Sequence, residues 1–283
     1  MSKTANISAL AITDDHQDLA EAASGQLARL QTLAKARATL AGESPHPAEI
    51  WSAATGLGWM GLAVAEEFGG SGFGLAELAV VMECLGRQLA PGPFLPSVSA
   101  AVVIDRCAPD SVRSEVLPGL TSGQTVAALG VSGTLTVGPD HVVTGESSAV
   151  LGAPDAGLLV LVAGDDVVIV DAGPESAAAG VSVTRLDSLD TTRSIGSVAL
   201  TSVSVPADRV IRGAARNATT VFRILAAAEA VGVSWAALDM AVDYAKVREQ
   251  FGRTIGTFQA VKHHAADMPV SYTHLTLPTT PYV

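Results

Sequence analysis

The stretch "REQFGRTIGTFQ", residues 248–259, concentrates groups able to hold a phosphorylated ligand. Arg248 carries a planar fork that stays charged and donates paired hydrogen bonds, a match for a diphosphate. Its alternative is a solvated charge on a helix. Gln250 and Gln259 are polar amides able to bond a nucleotide. Phe251 and Phe258 suit packing equally well. Farther back, Arg223 is a single arginine on an alanine-rich stretch, where a solvent-facing side chain is the ordinary outcome. Glu229 stands in "AAAEAVG", flanked by apolar residues. Burial disfavours the charged form of a carboxylate, and a general base for a carbon-bound proton needs a carboxylate in a dry pocket. The competing role for Glu229 is a structural hydrogen bond to a neighbouring helix.

Other chemistries find less support. The net charge of −11 argues against nucleic acid as the main partner, because phosphate backbones call for basic surface. Cys84 and Cys107 lack metal-type spacing and read as reduced core residues. His263 and His264 are adjacent, so on a helix they diverge and do not pair on one metal. No metal site is expected. The glycines of "EEFGGSGFG" fail the spacing of dinucleotide and P-loop motifs and read as a turn between helices. Asp208 and Arg209 read as shaping a domain exit. Asp187, Asp190 and Arg193 read as surface pairs of little worth. No apolar run reaches the uncharged length of a membrane span, and the N-terminus lacks a signal peptide's apolar core. A cytoplasmic location without a membrane span is the expectation.

Three zones must position these groups. An apolar fraction of 48% is ample for a core. Residues 14–120 carry helical spacing, with Leu19, Ala23, Leu27, Leu30, Ala34 and Leu40 on one continuous helix capped by Asp14 or Asp15. A second helix follows "GESPHP", and a strong one begins near Leu75. Residues 124–211 are short β-branched runs bounded by Gly, Asp and Pro, the signature of an antiparallel sandwich or barrel. Residues 216–268 return to helix, with Gly232 allowing close approach of a neighbour. The fold expected is α+β multidomain: an N-terminal helical domain (1–121), a middle antiparallel β-sandwich or barrel domain (122–215) and a partial, truncated C-terminal helical bundle (216–268). Residues 269–283, "PVSYTHLTLPTTPYV", read as an artefactual tail, disordered or badly packed.

Three stretches make the plan specific. "AVAEEFGGSGFGLAELAVVMECLGRQLAPGPFLPSV", "LDTTRSIGSVALTSVSVPADRVI" and above all "AVDYAKVREQFGRTIGTFQAVKHHAADM" resemble the three domains of acyl-CoA dehydrogenases. The resemblance implies an FAD-dependent α,β-dehydrogenation of an acyl-CoA thioester to a trans-2-enoyl-CoA. Electrons would pass on to an electron-transfer flavoprotein or a similar acceptor. It further implies a homo- or hetero-oligomer, because the Arg248 of "R-x-x-F-G" matches a residue that reaches the FAD diphosphate of a neighbouring subunit. Gln250, Phe251, Phe258 and Gln259 match the flanking cofactor positions, and Arg223 matches a position near the CoA side.

The match is incomplete in two places. Most of the family draws its catalytic base from a Glu downstream of the region this chain covers. A minority draws it from the long helix, where this sequence has Phe222, on nearly the same face as Glu229. In the β domain, "LGVSGTLTVG" lacks the family's acidic pair, and Val150, Leu151 and Gly152 replace the hydroxyl-bearing strand that backs the flavin. A non-catalytic partner subunit of a heteromeric acyl-CoA dehydrogenase is therefore the competing reading.

Overall fold

The computed structural model describes residues 8, 10–42, 48–173 and 178–276, with 269–276 described by backbone alone. Six helices come first: α1 (Asp14–Arg29), α2 (Thr32–Leu40), α3 (Ala48–Gly56), α4 (Leu75–Arg87), α5 (Phe94–Cys107) and α6 (Asp110–Thr121). The single helix expected over the first leucine-rich stretch is two, because Gln31 adopts left-handed backbone (φ 53°) between α1 and α2. The cap of α1 is Thr13 rather than Asp14 or Asp15. Its hydroxyl accepts from the His16 N–H and satisfies an orphan donor of the first turn.

The β domain is built from β1 (Ala127–Gly130), β2 (Thr136–Val137), β3 (Val142–Leu151), β4 (Leu158–Ala163), β5 (Asp166–Asp171), β6 (Val181–Arg185), β7 (Ile195–Ser204) and β8 (Val210–Ile211). They form one sheet in the order β6-β7-β3-β1-β4-β5-β8, with β2 on β3. Its pairs are antiparallel except β1 with β4, which is parallel, so the sheet is mixed. Period-two alternation explains the two cores. Ala127, Leu129, Leu158, Val160, Val167 and Ile169 face the helices, whereas Ala128, Leu159, Leu161, Val168 and Val170 face the rest of the β domain. Burial on both faces is why β1, β4 and β5 are nearly continuous apolar runs.

The chain then forms α7 (Ala215–Val247), a hairpin of β9 (Glu249–Gln250) and β10 (Arg253–Thr254), and α8 (Gln259–Thr276). The helix α8 runs through Pro269 to Thr276, so the first part of the stretch expected to be a disordered or badly packed tail is helical. Residues 277–283 lie outside the described residues. By length and composition α7 could cross a membrane, with a mean hydropathy of 1.6 over its most apolar window, although no span is expected from the sequence. It carries Arg223 and Glu229 and packs on α4 and α5.

Two glycines set that packing. A Cβ on Gly232 would lie 2.0 Å from the Glu83 carbonyl oxygen, and one on Gly86 would lie 2.1 Å from the Glu229 carbonyl oxygen. The backbones of α4 and α7 therefore touch, as the sequence expectation for Gly232 requires. On α4 the fully buried Glu83 carboxylate accepts from the Ser8 hydroxyl and the Leu10 N–H, which anchors the N-terminal segment. Cys84 is a free thiol, buried beside Ser24, and burial pushes it up to about 11. Cys107 is also free.

Two outcomes follow from this packing. In an exposed helix, Gly→Ala stabilises by up to about 1 kcal/mol. At Gly232 or Gly86 the sign reverses, with an expected loss of about 1–3 kcal/mol in urea unfolding from overpacking; a gain in stability at either position contradicts the backbone contact. The Cys84 thiol stays protonated in the fold above the ordinary thiol pKa of about 8.5. Thiol-specific labelling at pH 8 therefore modifies Cys84 only in denaturant. Its contribution to stability is present below that ordinary pKa and is lost as pH rises toward 11.

Candidate cofactor and domain-junction sites

The hairpin after α7 presents the phosphate-binding candidates together. Arg248 caps α7, its N–H bonded to the Tyr244 carbonyl at 2.9 Å and its carbonyl accepting from Ile255 at 2.8 Å. The backbone is thus pinned while the guanidinium is exposed, with no carboxylate within salt-bridge distance among the described residues. The turn is Phe251–Gly252, with φ of 55° and 76°. Two successive positive φ values define the tight hairpin turn that usually takes Asn-Gly. A phenylalanine there is strained by roughly 1–2 kcal/mol and is 93% exposed. Its ring meets Phe258 edge-on at 6.2 Å, and the Arg253 guanidinium lies 4.2 Å above the Phe258 ring. Gln250 and Gln259 are exposed on the same projection. From sequence the long helix is expected to run through Arg248–Glu249 with a loop, "GRTIGTF", after it; the structure makes a hairpin of the two.

Arg223 and Glu229 lie elsewhere. At about 1.5 Å rise per residue, α7 separates Glu229 from Arg248 by roughly 28 Å and Arg223 from Arg248 by roughly 37 Å. One chain therefore does not gather all the candidates around one ligand. Arg223 is exposed on α7.

Glu229 sits at a junction of three domains. Its Oε2 accepts from Arg193 Nη1 at 2.8 Å, and both side chains are largely buried (15% and 21% exposed). Arg193 Nε donates to Asp190 Oδ2 at 3.1 Å. Asp190 Oδ1 accepts from the Thr192 N–H and hydroxyl. Burial by itself would raise the Asp190 carboxyl, but the Thr192 bonds and the Arg193 charge outweigh it and hold it below its ordinary value. Burial likewise disfavours charged Arg193, and Glu229 and then Asp190 more than offset that. The sequence expectation of a weak surface pair at Asp190 and Arg193 is corrected here: the pair extends into the junction. The structural partner of Glu229 is likewise a β-domain loop rather than a helix. In sequence Arg193 already reads as paired with Asp190, and the 36 residues between it and Glu229 concealed the second partner.

Arg209 also departs from a purely local role, bridging Asp171 on β5 (2.6 Å) and Glu115 on α6 (2.7 Å). It lines a cavity of about 710 Å³ with Gln124, Asp155 and Leu158, which includes none of the residues singled out for cofactor or base chemistry. Val150 is buried and Leu151 half-buried at the end of β3, so that wall offers apolar groups and backbone rather than hydroxyls. Among the described residues no cluster of His, Cys, Asp and Glu could hold a metal.

Comparison with known proteins matches this architecture. Residues 13–124 fit the family model "Acyl-CoA dehydrogenase, N-terminal domain", and residues 212–278 fit "Acyl-CoA dehydrogenase, C-terminal domain". The chain is 34% identical over 220 residues to the acyl-CoA dehydrogenase FadE34 of Mycobacterium tuberculosis, covering 77% of this chain but 29% of that protein. It is 30% identical over 262 residues to IpdE2 of the same organism, covering 91% of this chain and 72% of IpdE2. Among solved structures, the ChsE4–ChsE5 complex from Mycobacterium tuberculosis superposes with a TM-score of 0.83 at 28% identity, over 93% of this chain and 75% of that one. The chain belongs to the acyl-CoA dehydrogenase family, a family of oxidoreductases.

The hairpin carries a direct test. Phe251→Asn relieves the left-handed strain and is expected to raise stability by up to about 1 kcal/mol, measured by thermal unfolding. A loss of stability would show that the edge-on contact with Phe258 outweighs the backbone strain.

Proposed function

We propose that this chain serves flavin-dependent α,β-dehydrogenation of an acyl-CoA thioester as one subunit of an oligomer. The observation that carries this reading is the hairpin: an exposed Arg248, without a carboxylate partner among the described residues, beside two amides and two aromatic rings, in a member of this family. That donor set fits FAD. The guanidinium suits the diphosphate, Gln250 and Gln259 suit the nucleotide's polar edges, and Phe251 and Phe258 give an apolar cover. FAD, when bound, supplies the hydride-accepting chemistry. Arg248 fixes its anionic half, the amides orient it, and the rings exclude water. The span of α7 supports delivery of this hairpin to a neighbouring subunit, since its own Glu229 lies about 28 Å away. Arg223 is left on the side that the resemblance assigns to CoA. The α-proton must pass to a carboxylate. Glu229, committed to Arg193, would have to leave that pair first, so we assign the base to a carboxylate other than Glu229. Electrons leave to an electron-transfer flavoprotein or similar acceptor.

A second reading is a non-catalytic partner subunit that completes a flavin site in a heteromer. Two observations favour it: the end of β3 offers no hydroxyl, and Glu229 is occupied. The two readings part on preparation. A chain purified alone with flavin that bleaches on adding an acyl-CoA supports the enzyme. Flavin uptake only on co-expression with a second chain supports the partner.

Under either reading Arg248 is the cofactor anchor. A hydrogen bond to a charged group is worth about 1.5–3 kcal/mol, so Arg248→Gln should weaken FAD binding by roughly 10–100-fold in a flavin fluorescence titration of the assembled protein. Unchanged affinity would remove the hairpin from the cofactor site.

A further inference from the structure

We infer that Arg193 is a positioning residue: through Glu229 and Asp190 it holds residues 190–194 as a latch that fixes the Gly152 edge of the β domain against the two helical domains. As a statement about the wall behind the flavin, this rests on the proposed function. As a statement about the latch, it stands on geometry alone.

The carbonyls on either side of Arg193 each hold a different domain. The Thr192 carbonyl accepts from the Gly92 N–H at 3.0 Å, in the loop joining α4 to α5. The Ser194 carbonyl accepts from the Gly152 N–H at 2.8 Å, just past β3. Arg193 itself reaches α7 through Glu229. Both glycines have positive φ, 145° and 76°, which fixes the direction of their N–H groups. A Cβ on Gly152 would sit 3.1 Å from Pro96 on α5, so a larger residue would be crowded on that side. The Glu229 carbonyl backs onto Gly86 of α4. A largely buried ion pair is a poor device for stability alone, because desolvation offsets much of its attraction. Its value here is geometric. Arg193 carries the segment's bond to α7, so its loss releases the Thr192 contact from α7 and leaves the Ser194 contact held only as the end of the β3–β7 ladder, where Leu151 faces Ile195. The chain that follows the flavin-backing positions Val150 and Leu151 then loses its fixed distance from the helices.

Amide exchange of the flavin-free full chain, read by NMR at Gly92 and Gly152, tests the latch. Glu229→Gln and Arg193→Gln should each speed exchange at both glycines by about tenfold or more while the core strands β4 and β5 keep wild-type rates, as expected for local opening. Arg193→Lys, which retains a charge for Glu229 but lacks the second bond to Asp190, should fall between. A second readout is the visible absorption spectrum and FAD affinity of the assembled protein, which should shift in the same order. Unchanged exchange at the two glycines, with only a lower melting temperature, overturns the proposal. Faster exchange with an unaltered flavin spectrum and affinity overturns the positioning role. A wild-type chain with protected glycines that takes up no FAD in any assembly sinks the flavin reading and leaves the latch in place.

Discussion

The backbone contact between α4 and α7 constrains the rest of the molecule. Two glycines, Gly86 and Gly232, let the helices approach until main-chain atoms of one meet the Cα of the other. That contact sets how the first helical domain lies against the last. Everything else at the junction inherits its geometry from it. Glu83, one turn before Gly86, turns its carboxylate to the N-terminal segment, while its carbonyl faces Gly232. Glu229, one turn before Gly232, has its carbonyl against Gly86 and its carboxylate on the β-domain loop. The two glutamates are near mirror images in role, each tying its helix to a different segment.

The β domain is held to the helices by two kinds of force. One face of the sheet shares the helical core through Leu129, Val160 and Ile169, a non-directional attraction. Direction comes from two arginines at different seams, Arg209 buried and Arg193 largely so. Arg193 ties the domain to α7, and Arg209 ties it to α6 through Glu115. Apolar burial brings the layers together, and the guanidiniums, with their planar donors, fix the angle.

Much of the fold was legible because it rests on periodicity. Leu225, Ala228, Gly232 and Leu238 mark the buried stripe of α7, and "LLVLVA" and "DVVIVD" mark strands buried on both faces. What failed was local. The break at Gln31 follows from one residue's left-handed backbone, which no apolar spacing encodes. The hairpin at Phe251–Gly252 was missed because phenylalanine is a poor candidate for such a turn. The parallel pairing of β1 with β4 was missed because strand partners far apart in sequence leave no local trace.

The site divides along the same line. The sequence by itself determined the chemistry on offer: an arginine-led cluster at residues 248–259, a glutamate in an alanine-rich helix, and a family resemblance spanning three domains. Those are properties of residue type and spacing, and they survive any arrangement of the chain. Only the tertiary structure decided who meets whom. It put Glu229 on Arg193, made an apparent surface pair part of a buried junction, and set the hairpin a helix length away from both. Ion pairs and domain seams join residues distant in sequence, and their partners are fixed by packing rather than by any pattern the chain carries locally.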